Sequence, residues 1–349
     1  MRLRCANIHY PPSNIQYPTS TIHHPTSNIQ HPTSTIQHPT STIQHPTSNI
    51  HHPTSNDQHP PHLCFNLKTG LFHACELIKF RAMQKTPFNT LLAEACRNKN
   101  NRLCLGLDLD PDRMAPGSDT SLKGMKAFAQ DVINATLDIC PVYKLNLAFY
   151  ERFGSKGYQL MEELVDYIGG RAVTIADGKR GDIGNTSRQY ARALFETIGF
   201  DAVTVSPYMG RDSILPFIEN PEKGVFVLCL TSNPGANDLQ TLTSDQRSIY
   251  LHIAELVNEL NGKDNLGLVV GATNPEFMSE LRTSSQGLSW LIPGIGAQGG
   301  DLETSIQVGN DGGTGIINVS RGILYAGDGS LKAVETAARD YTEQIRKLL

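Results

Sequence analysis

Residues 174–190 read TIADGKRGDIGNTSRQY: an apolar run ends in Asp177, Lys179 and Asp182 and passes at once into a polar, amphipathic stretch. The pattern is that of a strand, a charged turn and a helix. Side chains alternate along a strand, so Val173, Ile175, Asp177 and Lys179 are expected on one face and Gly178 on the other. An acid and an amine are thereby forced together at a strand end. Unpaired buried charge is expensive and even paired charge seldom adds stability, so the cluster points to chemistry.

Working outward, the same strand-then-helix unit recurs. Short apolar runs open at 103 (LCLGLDL), 142 (VYKLNL), 172 (AVTIAD), 202 (AVTVSP), 225 (VFVLCL), 266 (LGLVVGA), 290 (WLIPG) and 315 (GIINVS). Between them lie SLKGMKAFAQDVINATL, GYQLMEELVDYI, NTSRQYARALFETI and SDQRSIYLHIAELVNEL, whose apolar residues recur at three-and-four spacing. Near-continuous Val/Ile/Leu runs fit parallel strands covered on both faces. The α/β alternation over residues 83–349 therefore predicts a (β/α)8 TIM barrel, with an open doubly wound sheet as the alternative.

A barrel demands that polar residues gather at the C-terminal ends of its strands. They do: Asp108 and Asp110, Lys144 and Asn146, Asp177 and Lys179, Ser206, Thr231 to Asn233, and finally Ser320 and Arg321 close successive runs. Any one of these reads as an ordinary loop residue. The set, gathered at the same end of successive runs, does not.

Ahead of the barrel, residues 10–61 carry seven tandem copies of a seven-residue unit such as HPTSTIQ. A proline in each unit forbids a continuous helix, and at most one isoleucine per unit builds no core. Residues 1–82 are accordingly expected to be a disordered low-complexity tract and linker. An equally open reading is a repeat in the coding DNA with the working start at Met83. Eleven of the twelve histidines lie at or before His73, which leaves His252 alone for the barrel.

The net charge of −4 gives no footprint for nucleic acid, and no apolar run is long enough to span a membrane. Seven cysteines without a CxxC pair fit reduced thiols, so a cytoplasmic location is expected.

Near the far end of the chain, WLIPGIGAQGGDLE sets Gly294, Gly296 and Gly299 in GxGxxG spacing. A dinucleotide fingerprint would sit at the first strand with an acid about 20 positions on. Here it follows the seventh run, and the better reading is a phosphate cup. Glycines let backbone N–H groups approach an anion, the next helix adds its N-terminal dipole, and Arg321 supplies a fork of donors. With no Cys/His pair, no GxSxG elbow and no metal-ligand spacing, proton transfer falls to Lys and Asp. A lysine hemmed by carboxylates stays protonated and suits protonation of a carbanion.

DGKRGDIGNT resembles the Asp-x-Lys-x-x-Asp-Ile-x-x-Thr signature of the orotidine 5′-phosphate decarboxylase family, in its longer bacterial branch, and the likeness extends over nearly all of residues 100–330. The resemblance implies Asp108, Lys144, Asp177, Lys179 and Asp182 as the catalytic charge network, with Lys179 the proton donor. It further implies Ser232 and Pro293 at the pyrimidine, and Gln298, Gly299 and Arg321 at the phosphate. Asp182 and Thr186 would reach the partner's site in a homodimer. Orotidine 5′-monophosphate would be decarboxylated to UMP in de novo pyrimidine biosynthesis, with no metal or organic cofactor.

Three rival readings fit the residues less well. A Mg2+-dependent hexulose-phosphate synthase or keto-gulonate-phosphate decarboxylase needs a further carboxylate near the array, and none occurs between Ala172 and Asp177. An interaction protein carried by the repeat would have no use for an intact charge array. A dehydrogenase would place its glycine motif elsewhere.

Overall fold

The computed structural model describes residues 85–296 and 299–349. The repeat, the expected disorder of residues 1–82 and the 82/83 boundary lie outside the described residues, as does Gln298.

All eight apolar runs form strands: β1 Leu103–Gly106, β2 Val142–Asn146, β3 Val173–Arg180, β4 Ala202–Val205, β5 Gly224–Leu230, β6 Leu266–Val270, β7 Ser289–Pro293 and β8 Gly315–Val319. Each is parallel to its sequence neighbours and β8 pairs with β1, so the sheet closes into a barrel. The closed (β/α)8 reading holds and the open sheet does not.

The barrel interior is built on a period of two. One layer runs from Cys104 and Val142 through Ile175 and Phe226 to Leu291 and Ile316, and every member is buried. Helix α1, Phe88–Asn98, plugs the N-terminal end with Phe88, Leu92 and Cys96. Phe88 meets Phe226 edge to face at 6.0 Å, and a Cβ on Gly224 would lie 2.3 Å from the Phe88 ring. Two residues further along each strand the side chains again face inward. That step converts Val142 to Lys144, Ile175 to Asp177, Ala202 to Thr204 and Ile316 to Asn318. The floor of the mouth is therefore polar because the strand period carries it there.

The helix expected from residue 244 starts later. Thr243–Ser244 and Arg247–Ser248 form a small antiparallel ribbon, and the helix runs Ile249–Leu260. Asp245 and Gln246 both have positive φ, 50° and 61°, the backbone of a two-residue type I′ hairpin turn. Among the described residues no helix is long and apolar enough to cross a membrane.

Candidate active site

Lys144 and Asp177 occupy the inner face of neighbouring strands, because the β2/β3 register sets Lys144 beside Ile175 and Asn146 beside Asp177. Lys144 Nζ lies 3.0 Å from Asp177 Oδ2 and 3.6 Å from Asp108 Oδ1. Lys179 Nζ lies 2.7 Å from Asp177 Oδ1. The charges thus alternate along Asp108, Lys144, Asp177 and Lys179, and the four cancel. Cancellation is what allows Lys144, 3% exposed, to remain at a barrel mouth.

Burial pushes the Asp177 carboxyl up, but the Lys144 and Lys179 ammoniums outweigh it and hold the group well below the usual carboxylate range. Burial likewise lowers Lys144, and the charges of Asp108 and Asp177 more than reverse that, raising it above an ordinary lysine. Both groups therefore stay ionised at neutral pH. Asp108 Oδ1 is buried and has no hydrogen bond, since 3.6 Å to Lys144 is an ionic contact only. Tyr325 donates to the Asp108 carbonyl at 2.8 Å and accepts from Asp110 N at 2.7 Å, which fixes the loop that carries Asp108.

The strict alternation expected through residue 179 does not hold. The β3/β4 register runs Ala176 to Val203 and then Arg180 to Val205, so a bulge falls between them. Lys179 takes φ +47°, a left-handed backbone uncommon for a side chain of its size. Its ammonium still meets Asp177, through the bulge and not through regular pleating.

Above the array opens a cavity of about 460 Å³. Asp108, Lys144, Asp177, Lys179, Ser232, Pro293 and Arg321 all line it. Gly294, also in its wall, has φ +106°, while Gly296 and Gly299 have φ +78° and +73°, so each cup glycine uses a conformation that side chains resist. Gly299 itself is exposed and outside the cavity lining. The helix after the cup, Leu302–Gly309, is capped by Asp301, which accepts from Thr304 N at 3.0 Å. A carboxylate already occupies that N-terminus, so the dipole expected to serve an anion is offset by the cap.

Asp182 and Thr186 do not reach the cavity of their own chain. Asp182 Oδ1 accepts from Ile183 N at 2.7 Å, and Thr186 is exposed on the helix Gly184–Arg192. His252 lies on the outer layer, its Nε2 2.8 Å from Ser244 O, and takes no part. Among the described residues no three His, Cys, Asp or Glu side chains converge to hold a metal ion.

Sequence reasoning missed Thr204, Asn318 and Gln240. The first two follow from counting by two along β4 and β8. Gln240 carries no such signal: it belongs to the loop after β5, where its Oε1 accepts from Thr231 N at 2.7 Å.

Fold and site together define a (β/α)8 barrel with a buried, alternating Asp/Lys array facing a glycine-rich turn. The model of the Orotidine 5′-phosphate decarboxylase / HUMPS family matches residues 101–336. Orotidine 5′-phosphate decarboxylase of Dehalococcoides mccartyi (strain CBDB1) is 46% identical over 261 residues, 73% of this chain and 94% of that protein. The Roseiflexus castenholzii protein of the same name is 42% identical over 268 residues, 75% and 98% of the two chains. Leishmania donovani OMP decarboxylase superposes with a TM-score of 0.66 at 36% identity, over 75% of this chain and 98% of that one. A putative orotidine-monophosphate decarboxylase from Toxoplasma gondii gives 0.70 at 35% identity, over 75% and 96%. The chain belongs to the orotidine 5′-phosphate decarboxylase / HUMPS family.

Proposed function

We propose that this chain decarboxylates orotidine 5′-monophosphate to UMP, the closing step of pyrimidine nucleotide synthesis, with Lys179 as the proton donor. The observation that carries this reading is the neutral Asp108–Lys144–Asp177–Lys179 array in the cavity wall, with one ammonium half-exposed to the cavity. Loss of CO2 from C6 leaves a carbanion that the ring delocalises poorly. A fixed ammonium aimed at C6 stabilises that charge as it forms and then supplies the proton.

The remaining residues divide by distance from the bond that breaks. The free Oδ1 of Asp108 suits a ribose hydroxyl, which would satisfy a buried acceptor that now has no donor. Ser232 and Pro293 flank the base. Arg321 and Gly294, in the cavity wall, are placed to hold the phosphate, and the family likeness assigns Gln298 and Gly299 to it as well. Binding energy from the remote phosphate is then available to orient the ring. Arg321→Ala is expected to lower kcat/KM by about 10²-fold with loss from both KM and kcat, measured by steady-state CO2 release. An unchanged kcat/KM would move the phosphate elsewhere.

The direct test follows label release from carboxyl-labelled orotidine 5′-monophosphate by the full chain, with and without EDTA. Failure to release label sinks the reading. Release that depends on added Mg2+ favours the sugar-phosphate branch of the family.

A homodimer belongs to the same proposal. Tyr208 is 84% exposed, Met209 follows it in the same loop after β4 and is exposed, and Ile183, exposed in the loop after β3, adjoins Asp182 in sequence. Exposed apolar side chains on the loops after these two neighbouring strands suit a second copy that receives Asp182 and Thr186 in its site. Light scattering should give twice the 38.2 kDa chain mass, and Tyr208→Asp should give monomers with reduced turnover. A fully active monomer would remove this element. A cytoplasmic location accords with Cys96, Cys104, Cys140 and Cys229, all buried and unpaired to one another.

A further inference from the structure

We infer that Thr204 is a positioning residue for the reaction, because its one hydroxyl joins the backbone of Lys179 to the carboxylate of Asp177. This rests on the reading of Lys179 as proton donor. Thr204 Oγ1 accepts from Lys179 N at 2.9 Å and donates to Asp177 Oδ1 at 3.0 Å.

The bulge explains why both bonds matter. Residues 177–179 lie between the last regular pairing at Ala176 and its resumption at Arg180, so Lys179 N–H loses its ladder partner on β4. Thr204, 1% exposed, supplies that N–H with a buried acceptor in place of the lost ladder partner. The same contact holds Lys179 at φ +47°, a conformation that persists only where the surroundings enforce it. A left-handed residue at a bulge re-aims its side chain, here toward Asp177 and the cavity.

The second bond fixes the other partner. Asp177 Oδ1 accepts from both Lys179 Nζ and Thr204 Oγ1, while Oδ2 accepts from Lys144. One hydroxyl thus sets the backbone origin of the lysine and the anchor of its ammonium. Thr204 is 1% exposed on the inner face of β4, where valine would pack at the same volume. Packing alone gives no reason for a hydroxyl there, since both of its bonds go to the Asp177–Lys179 segment. Thr174 makes the contrast: its hydroxyl bonds Asp201, outside the mouth.

Thr204→Val keeps shape and removes both bonds. In the full chain it is expected to lower kcat by about 10- to 100-fold, the effect of one or two lost buried hydrogen bonds on the geometry of the reacting group. Affinity for UMP should stay within about threefold, because Arg321 and the cup are untouched. Thr204→Ser keeps the hydroxyl and should retain kcat within about threefold of wild type. Thr204→Ala, which leaves no extra methyl to place, guards against misfolding and should track the valine variant. Thr204→Val at more than half the wild-type kcat would overturn the inference. So would a serine variant as impaired as the valine one, or a loss confined to KM. A wild-type chain that releases no CO2 would instead sink the decarboxylase reading itself.

Discussion

Lys179→Ala is expected to lower kcat by at least about 10⁴-fold, because in the proposed mechanism one side chain supplies both the proton and the charge that meets the carbanion. That corresponds to about 5.5 kcal/mol of transition-state stabilisation. The fold should survive. Asp177 keeps Lys144 at 3.0 Å on Oδ2 and Thr204 at 3.0 Å on Oδ1, so no buried carboxylate is abandoned. The lysine side chain is itself 48% exposed, and its removal opens no core cavity. Affinity for UMP should change little, since the product carries no developing charge at C6. Lys179→Arg separates the two roles: a guanidinium keeps positive charge but does not give up a proton near neutral pH. If either variant retained more than a few per cent of the wild-type rate, another group would carry the proton. Stopped assays of CO2 release, with UMP titration on the same samples, read both quantities.

The barrel was legible because its signal is redundant. Eight apolar runs, each followed by an amphipathic stretch and closed by polar residues, leave few other ways to bury two faces of a parallel sheet. The charge array was legible for a related reason: Lys144 and Asp177 each lie two residues beyond an interior-facing apolar residue, Val142 and Ile175. What escaped was backbone detail. Nothing in DGKRGD announces a bulge, since the extra residue is set by the β3/β4 register, a long-range property. Strict alternation placed Lys179 beside Asp177, and the structure reaches the same neighbour by a left-handed turn. Thr204 escaped with the bulge, because its role exists only where the ladder breaks. Asp182 and Thr186 were legible by other signals: the charge run already held Asp182, and the family likeness named both for a partner's site, a role that belongs to the proposal because neither lines the cavity of its own chain.

On the proposed mechanism the array also ties catalytic charge to stability in this barrel. Lys144 is almost fully buried and stays charged only because Asp108 and Asp177 flank it. Its pairing with Asp177 is the closer of the two, at 3.0 Å against 3.6 Å. The carboxylate that aims Lys179 is therefore the one whose loss most exposes the buried lysine.

Asp177→Asn tests that coupling, and both of its effects should be large. Turnover is expected to fall by about 10³-fold or more, since Lys179 loses the anchor that aims it and the alternation of charge is broken. Stability should fall as well, by about 3–5 kcal/mol, because Lys144 is left buried with only the longer contact to Asp108. The pH dependence identifies the cause. In the folded wild type Asp177 titrates below its ordinary value of 3.8, so its contribution is complete above 3.8 and is lost as pH falls through the lower folded value. The raised Lys144 works in the opposite sense: its contribution is complete below 10.5 and is lost only as pH rises through its folded value. Neither changes between about pH 5 and 8. The gap in unfolding free energy between wild type and Asp177→Asn should therefore be constant across that range and shrink below about pH 4. Urea unfolding of both proteins at pH 7, 5 and 2.5 measures it, the last more than one unit below the ordinary Asp value, where the gap should have narrowed by about 1–2 kcal/mol. A gap as wide at pH 2.5 as at pH 7 would assign the destabilisation to lost packing, and the charge on Asp177 would no longer account for it.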